Sequence, residues 1–271
     1  MKTNVGDHDE VIYDFMIHHP SYCQSEVEKQ WLETQEEFEN TLDPESGETS
    51  LGKYLEEIDS VKEIYTEEFH IRGDVLDVGG HQGRVRHFFK DDEVPLYVSV
   101  DPYLDAFAHI GRQPNLLKAY PCLSKPCNFL ASHAERLPFK SGTFDWVQMR
   151  SVVDHFSDPF LAFKEAYRVL RPTGYLMIGL AIVERITREH SRKKRNPLQK
   201  AVKKLKRGKE YSFKTDSKIF GGAHDDHIFR FTYQELLDLL SVTGFQVKKE
   251  HWQKPPYSFS IYLTARKKKL S

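Results

Sequence analysis

The sequence predicts an α/β fold built on a parallel sheet, and three observations carry that reading. Between about residues 72 and 183, strand-length apolar runs alternate with helix-patterned stretches, which calls for parallel strands joined by right-handed crossovers. The first run ends in an acid and then a glycine cluster, "VLDVGGHQGR", residues 75–84. A second acid, Asp101, closes the next run 24 residues after Asp77.

The elements follow in order. Residues 1–70 read as a helical N-terminal extension. Leu51, Tyr54, Leu55, Ile58, Val61 and Tyr65 recur at helical spacing, with Thr49 or Ser50 placed as a cap. Val27, Trp31, Phe38 and Leu42 mark an earlier, weaker helix. Strand-like runs then lie at 74–79, 96–100, 128–132, 144–149 and 175–182. Between the last two, Asp158 and Pro159 start a helix that runs to Leu170, with Pro172 and Gly174 as its stop. Near the end, Thr232 caps "YQELLDLLSVTG", and two strand-like runs follow, "FQVKKEHW" and "YSFSIYLTAR".

Composition narrows the class. A chain of 271 residues with 39% hydrophobic side chains can bury one large core. No apolar run approaches the ~20 residues of a membrane span. "MKTNVGDHDE" has no apolar stretch of a secretory signal. Cys23, Cys122 and Cys127 fit free thiols in a reducing cytosol, and no metal site is expected from their spacing. The expected location is therefore cytoplasmic. A net charge of −1 hides an asymmetry: residues 26–68 hold 15 acidic and 3 basic side chains, and residues 185–209 hold 12 basic and 1 acidic.

The loop after the first strand carries the chemistry. Gly79, Gly80 and Gly83 permit a tight turn and close backbone approach, and the next helix is expected to aim its amide dipoles at the loop. The spacing is D-x-G-x-x-x-G, not the G-x-G-x-x-G of a dinucleotide loop. Asp101 stands where a carboxylate accepts ribose hydroxyls.

At these residues the chain resembles the class I S-adenosylmethionine-dependent methyltransferases, in the small-molecule, ubiquinone-type (type 11) branch. "VLDVGGHQG" resembles the family's first motif and "YVSVDPY" its ribose-binding acid. "ASHAERLPFKSGTFDWVQMRSVVDHFSDP" is similar to its adenine-side loop and fourth strand, and "FKEAYRVLRPTGYL" to its following helix and fifth strand. The resemblance implies a Rossmann-like sheet of seven strands, mostly parallel, with an antiparallel last strand. The methyltransferase domain would be residues 71–271, with 185–231 an insertion before the last helix. It also implies S-adenosylmethionine as cofactor, held by Asp77, Gly79, Gly80, His81, Gly83, Asp101, Pro102, Tyr103, His133, Ala134, Glu135, Arg150 and Ser151. Two positions depart from the pattern. His81 replaces the central glycine of the loop, and His133 stands where many members have an acid that takes the adenine amino group. A neutral imidazole nitrogen can accept that bond.

Methyl transfer needs positioning and, for a hydroxyl acceptor, a base. His155 is the candidate after the fourth strand, with Asp154 beside it. His224 and His227, in "GGAHDDHIFRF", are candidates on the acceptor side, and their spacing is not a recognisable zinc motif. In the basic stretch, Leu198, Ala201, Val202 and Leu205 share one helical face behind Pro197, and Lys200, Lys203, Lys204, Lys206 and Arg207 the other. Such a lid suits a small-molecule acceptor that is anionic or sugar- or lipid-linked. It also suits peripheral contact with an anionic membrane, or nucleic acid. The favoured function is a methyltransferase acting on a small molecule, at oxygen before nitrogen. The alternatives are an RNA methyltransferase and a cofactor-binding module without catalysis.

Overall fold

The computed structural model describes residues 2–5, 8–14, 49–102, 110, 113–182, 228–253 and 260–268. The strands are β1 (Lys2–Val5), β2 (His8–Asp14), β3 (Val75–Val78), β4 (Tyr97–Asp101), β5 (Asn128–Ala131), β6 (Phe144–Arg150), β7 (Leu170–Ala181), β8 (Phe245–Trp252) and β9 (Ser260–Lys267). The helices are α1 (Leu51–Glu63), α2 (Pro114–Ala119), α3 (Pro159–Val169) and α4 (Tyr233–Val242). The strands form one sheet in the order β1-β2-β5-β4-β3-β6-β7-β9-β8. Strands β5, β4, β3, β6 and β7 run parallel, and β9 lies antiparallel between β7 and β8. These seven form the expected mostly parallel sheet with an antiparallel last strand.

The alternation of each strand sorts the sheet into two faces. Leu76, Val78, Val98, Val100, Val147, Leu176 and Ile178 point to one face, where they pack with Ala162, Phe163, Ala166 and Val169 of α3 and Leu236, Leu239 and Leu240 of α4. Val75, Tyr97, Trp146 and Met177 point to the other, against Tyr54, Ile58 and Val61 of α1 and Leu116 and Ala119 of α2. The buried polar residues Asp77, Ser99, Asp101 and Gln148 follow from the same alternation. They fall on the face that α1 and α2 cover.

The helix ends carry the expected caps. Ser50 accepts from the Lys53 N–H, Asp158 from Leu161, and Thr232 forms a capping box with Glu235. Helix α1 buries Tyr54, Ile58 and Val61, each stabilising by about 1.5–3 kcal/mol. Leu55, grouped with them by spacing, is 48% exposed instead. The helix closes in a π turn, Ile64–Glu68, which brings Tyr65 inward.

Two elements differ from expectation. Within the extension read as helical, β1 and β2 are strands: β2 runs parallel to β5 and pairs Ile12 with Phe129, so the sheet grows to nine strands. "EVIY" has the β-branched and aromatic character of a strand, and β5 offers it an edge. After the glycine loop comes a five-residue 3-10 turn, Arg84–Phe88, where an α-helix was expected. The proposed helix at residues 27–42 and the basic stretch 185–209 lie outside the described residues.

At the rim where the strands begin, Arg171 pairs with Asp74 at 2.8 Å and with Asp145, stapling the starts of β3, β6 and β7 together.

Candidate active site

The glycine loop, the tip of β4, the loop after β5 and the segment after β6 converge at the carboxyl ends of the central strands. They enclose a cavity of about 350 Å³. Its walls include Asp77, Gly79, Gly80, His81, Asp101, Pro102, His133, Ala134, Glu135, Arg150, Ser151 and His155. Such a crevice is where open α/β sheets bind ligands. Gly83 does not line it. Gly83 takes φ 72°, and a β-carbon there would lie 3.3 Å from Tyr97 Cε1, so its part is in the turn. Tyr103, His224 and His227 lie outside the described residues.

The loop is held tightly from below. Gly79 takes φ 67°, where a side chain is strained and would also strike Val152. At Gly80 a β-carbon would sit 2.5 Å from Ser99 Oγ and 2.8 Å from the Asp77 carboxyl. His81 takes φ 47°, a left-handed conformation that suits the glycine its place resembles, though histidine tolerates it better than most residues. Its N–H donates to Asp101 Oδ2 at 3.0 Å, and its carbonyl accepts from Ser99 Oγ at 3.0 Å. Burial, helped by the Arg84 charge, pulls the His81 imidazole down to about 3. It is therefore neutral at pH 7. Ser151, also on the wall, takes φ 53°. Strained positions of this kind gather at functional sites.

Beneath the loop runs a buried polar chain. Tyr97 Oη donates to Asp77 Oδ2 at 2.5 Å, and Gln148 Nε2 donates to Asp77 Oδ1 at 2.9 Å. Gln148 Oε1 accepts in turn from Tyr65 Oη at 2.9 Å. Burial pushes the Asp77 carboxyl up to about 6, against the downward pull of these two bonds and of Arg150.

One side of the cavity carries charge beyond the expected Arg150. Glu57 of α1 lines it with Arg84 and Arg150. Arg84 Nη1 lies 2.8 Å from Glu57 Oε2, and Arg150 Nη2 3.4 Å from Glu57 Oε1. Burial raises Glu57, but the two guanidiniums and the Tyr120 hydroxyl outweigh it and hold the carboxyl below its usual range. Arg84 also lies 5.4 Å from the Tyr54 ring and 5.9 Å from that of Tyr120. Gly179 of β7 makes room for Arg150: a β-carbon there would fall 2.6 Å from Tyr262 Cε1 and 3.1 Å from Arg150 Cγ.

At the opposite wall, Glu135 accepts from Ser157 Oγ at 2.9 Å and from the Asp158 N–H at 3.0 Å, and burial raises its carboxyl. Its carboxylate thus ties the loop after β5 to the start of α3. His155 Nε2 lies 3.9 Å from Asp154 Oδ1. The Asp154 carbonyl accepts from the N–H groups of Ile228 and Phe229, both at 2.9 Å, so the chain entering α4 is anchored next to His155. Away from the cavity, Glu63, Glu68 and His251 bring ligand-type atoms together among the described residues, with Lys249 Nζ 2.8 Å from Glu68.

Strand order, cleft and acid-bearing loops define a class I methyltransferase fold. Residues 76–178 match the family model described as a methyltransferase domain, type 11. By fold and by this match the chain is similar to the class I S-adenosylmethionine-dependent methyltransferases. A curated relative from Schizosaccharomyces pombe, named an uncharacterized methyltransferase, is 30% identical over 142 residues. That stretch is 49% of this chain, and it spans 44% of the relative. Among solved structures, a protein from Pyrococcus horikoshii is 20% identical with a TM-score of 0.52, over 79% of this chain and 92% of its own. The 1,6-didemethyltoxoflavin N1-methyltransferase of Burkholderia thailandensis, solved with its substrate and S-adenosylhomocysteine, is 15% identical with a TM-score of 0.52 over 92% of each chain. At these identities the two structures show the shared fold.

Among the described residues, no helix is long and apolar enough to cross a membrane.

Proposed function

We propose that the cavity binds S-adenosylmethionine and that the chain transfers its methyl group to a small-molecule acceptor, with oxygen favoured over nitrogen. One observation carries the reading: Asp101, the 79–81 loop, the 132–135 loop and the 150–156 segment meet in a single crevice. The wall chemistry fits a nucleoside joined to an amino acid. Asp101 supplies carboxylate oxygens with several acceptor positions. Val78, Val100, Ala134 and Phe156 supply apolar surface. His81 takes a left-handed turn at its loop position, and the crevice stands with that side chain in its wall.

When bound, the cofactor supplies an already activated methyl group, so the protein has to orient, exclude water and manage one proton. The loop and Asp101 orient. His155 is the wall residue suited to take the proton of an acceptor hydroxyl. The basic stretch 185–209 follows β7 and precedes Ile228, which is anchored at Asp154 beside His155. That position supports a role in choosing an anionic, sugar- or lipid-linked acceptor. A binding module without catalysis is the second reading, favoured by His81 standing in the glycine's place.

The test is calorimetric titration with S-adenosylmethionine, then incubation of the protein with methyl-labelled cofactor and a metabolite extract read by mass spectrometry. Binding with a labelled small molecule is expected. Binding without any labelled product supports the module, label entering added RNA supports the nucleic-acid alternative, and absence of binding overturns the proposal.

A further inference from the structure

Away from the cavity, the end of α1 meets the strand β8, and side chains that ligate metals make the contact. Side chains alternate along a strand. Lys249, His251 and Gln253 turn toward α1 and its π turn. Lys249 Nζ lies 2.8 Å from Glu68 Oε2, His251 Nδ1 lies 3.5 Å from Glu68 Oε1, and Gln253 Nε2 donates to the Ser60 carbonyl. Glu250 and Trp252 turn the other way, to Tyr233 of α4.

The π turn places a second carboxylate beside this pair. Glu63 ends α1, and Glu68 ends the π turn. At 3.6 residues per turn, residues five apart stand about 140° apart around the helix axis. The wider turn, closed by the Phe69 N–H on the Ile64 carbonyl at 3.0 Å, brings Glu68 round toward Glu63. Ligand atoms of Glu63, Glu68 and His251 all lie within 4.8 Å of one another. Two ligands on a tetrahedral ion, each about 2.0–2.1 Å from it, sit about 3.4 Å apart. The His251–Glu68 pair at 3.5 Å already has that span. Glu63 is exposed, and rotation of its side chain closes the remaining distance. Lys249 holds the other oxygen of Glu68 and so keeps Oε1 turned to the imidazole, the kind of support that orients a ligating carboxylate. Two carboxylates against one ammonium leave a net negative charge for a cation.

We propose that Glu63, Glu68 and His251 bind a divalent transition-metal ion of the zinc type, with solvent completing its shell. One imidazole nitrogen and two carboxylates suit zinc, cobalt or nickel, whereas calcium and magnesium favour oxygen alone. The ion ties the end of α1 to β8, so it clips the fold together and takes no part in methyl transfer. The site is independent of the cofactor reading above.

The test titrates Zn2+ into the metal-stripped full chain by calorimetry, with thermal melts in chelator and in Zn2+ beside it. The wild type should bind Zn2+ and melt at a higher temperature in its presence, because the ion binds the folded chain. His251→Ala and Glu63→Gln should each weaken Zn2+ about tenfold or more, at least the loss seen when a ligand's own support is removed. Both should also lose the rise in melting temperature. Glu63 is exposed, so Glu63→Gln keeps the fold and decides the matter alone if His251→Ala does not fold. The control is His224→Ala with His227→Ala, which removes the other closely spaced histidines and should keep the rise. Loss in the two site variants with retention in the control supports the site. Unchanged Zn2+ affinity in Glu63→Gln and in folded His251→Ala, loss in the control alone, or a wild type that takes up no Zn2+ overturns it.

Discussion

The His81 N–H donates to Asp101 Oδ2 across 3.0 Å, joining the loop after β3 to the tip of β4. Asp101 is therefore a fastener for the loop as well as the proposed ribose acceptor. The left-handed turn at His81 is what aims that N–H at the carboxylate.

The two roles of Asp101 separate on substitution. Asp101→Ala should weaken S-adenosylhomocysteine binding by roughly 1.5–3 kcal/mol, the range for hydrogen bonds to a charged group. Asp101→Asn keeps an oxygen for the His81 N–H but loses the charge, so it should show a smaller loss with an unchanged melting temperature. Wild-type affinity in both variants, measured by calorimetry, would remove Asp101 from the ribose.

His81→Gly should retain cofactor binding, because glycine takes φ 47° without strain. Its stability gain should grow as pH falls. The His81 pKa is depressed to about 3 in the folded protein, so wild-type stability is present above about 6.5, the unfolded value, and declines as pH falls toward 3. Urea unfolding at pH 7.5 and pH 5 would show the divergence. Parallel behaviour of the two proteins would mean that the imidazole is not desolvated in the loop.

Asp77 carries the opposite dependence. Its pKa is raised to about 6, so its stability contribution is full below the ordinary carboxylate range and is lost as pH rises through 6. Asp77→Asn removes the charge and still accepts from Gln148, while its amide can donate to the Tyr97 hydroxyl. The variant should therefore gain on wild type by about 2 kcal/mol between pH 4.5 and pH 7.5. A constant difference across that range would show that Asp77 is solvated.

Gly179→Ala should cost about 1–3 kcal/mol by overpacking Tyr262 and the Arg150 stem. It should also weaken S-adenosylhomocysteine by displacing the guanidinium. Thermal melts and titration together check it: a neutral substitution would mean that Arg150 has slack.

The strands and caps were legible because their signals are local. Asp101 ends its strand and Asp77 stands one residue before the end of its own, and Thr232 with Glu235 is a capping pair three residues apart. Glu57 gave no such signal. It sits beside Ile58 on an amphipathic helix, reads as a solvated face, and meets Arg150 only because the alternation of β6 turns Arg150 toward α1. Arg84 likewise reads as a surface charge after a glycine. Gln148 did leave a trace. A glutamine between Val147 and Met149 in a central strand is a buried polar group that needs partners, and it has them in Asp77 and Tyr65. The strand β2 went unread because seven residues with three acids present little strand signal until β5 offers an edge.

The position of β9 sets an order of events during synthesis. Among the described residues, β8 joins the sheet only through β9, and Tyr262 of β9 packs against Gly179 behind Arg150. A nascent chain that has emerged through β8 still has the β7 edge bare and no place to dock that strand. The crevice can be roughed out while the ribosome is still at work, but the backing of its charged corner arrives only when residues 260–267 slide between two strands made earlier. A stalled or clipped chain lacking that strand would therefore expose a sticky sheet edge and a collapsed corner at once, and would be a substrate for quality control before it could bind a ligand.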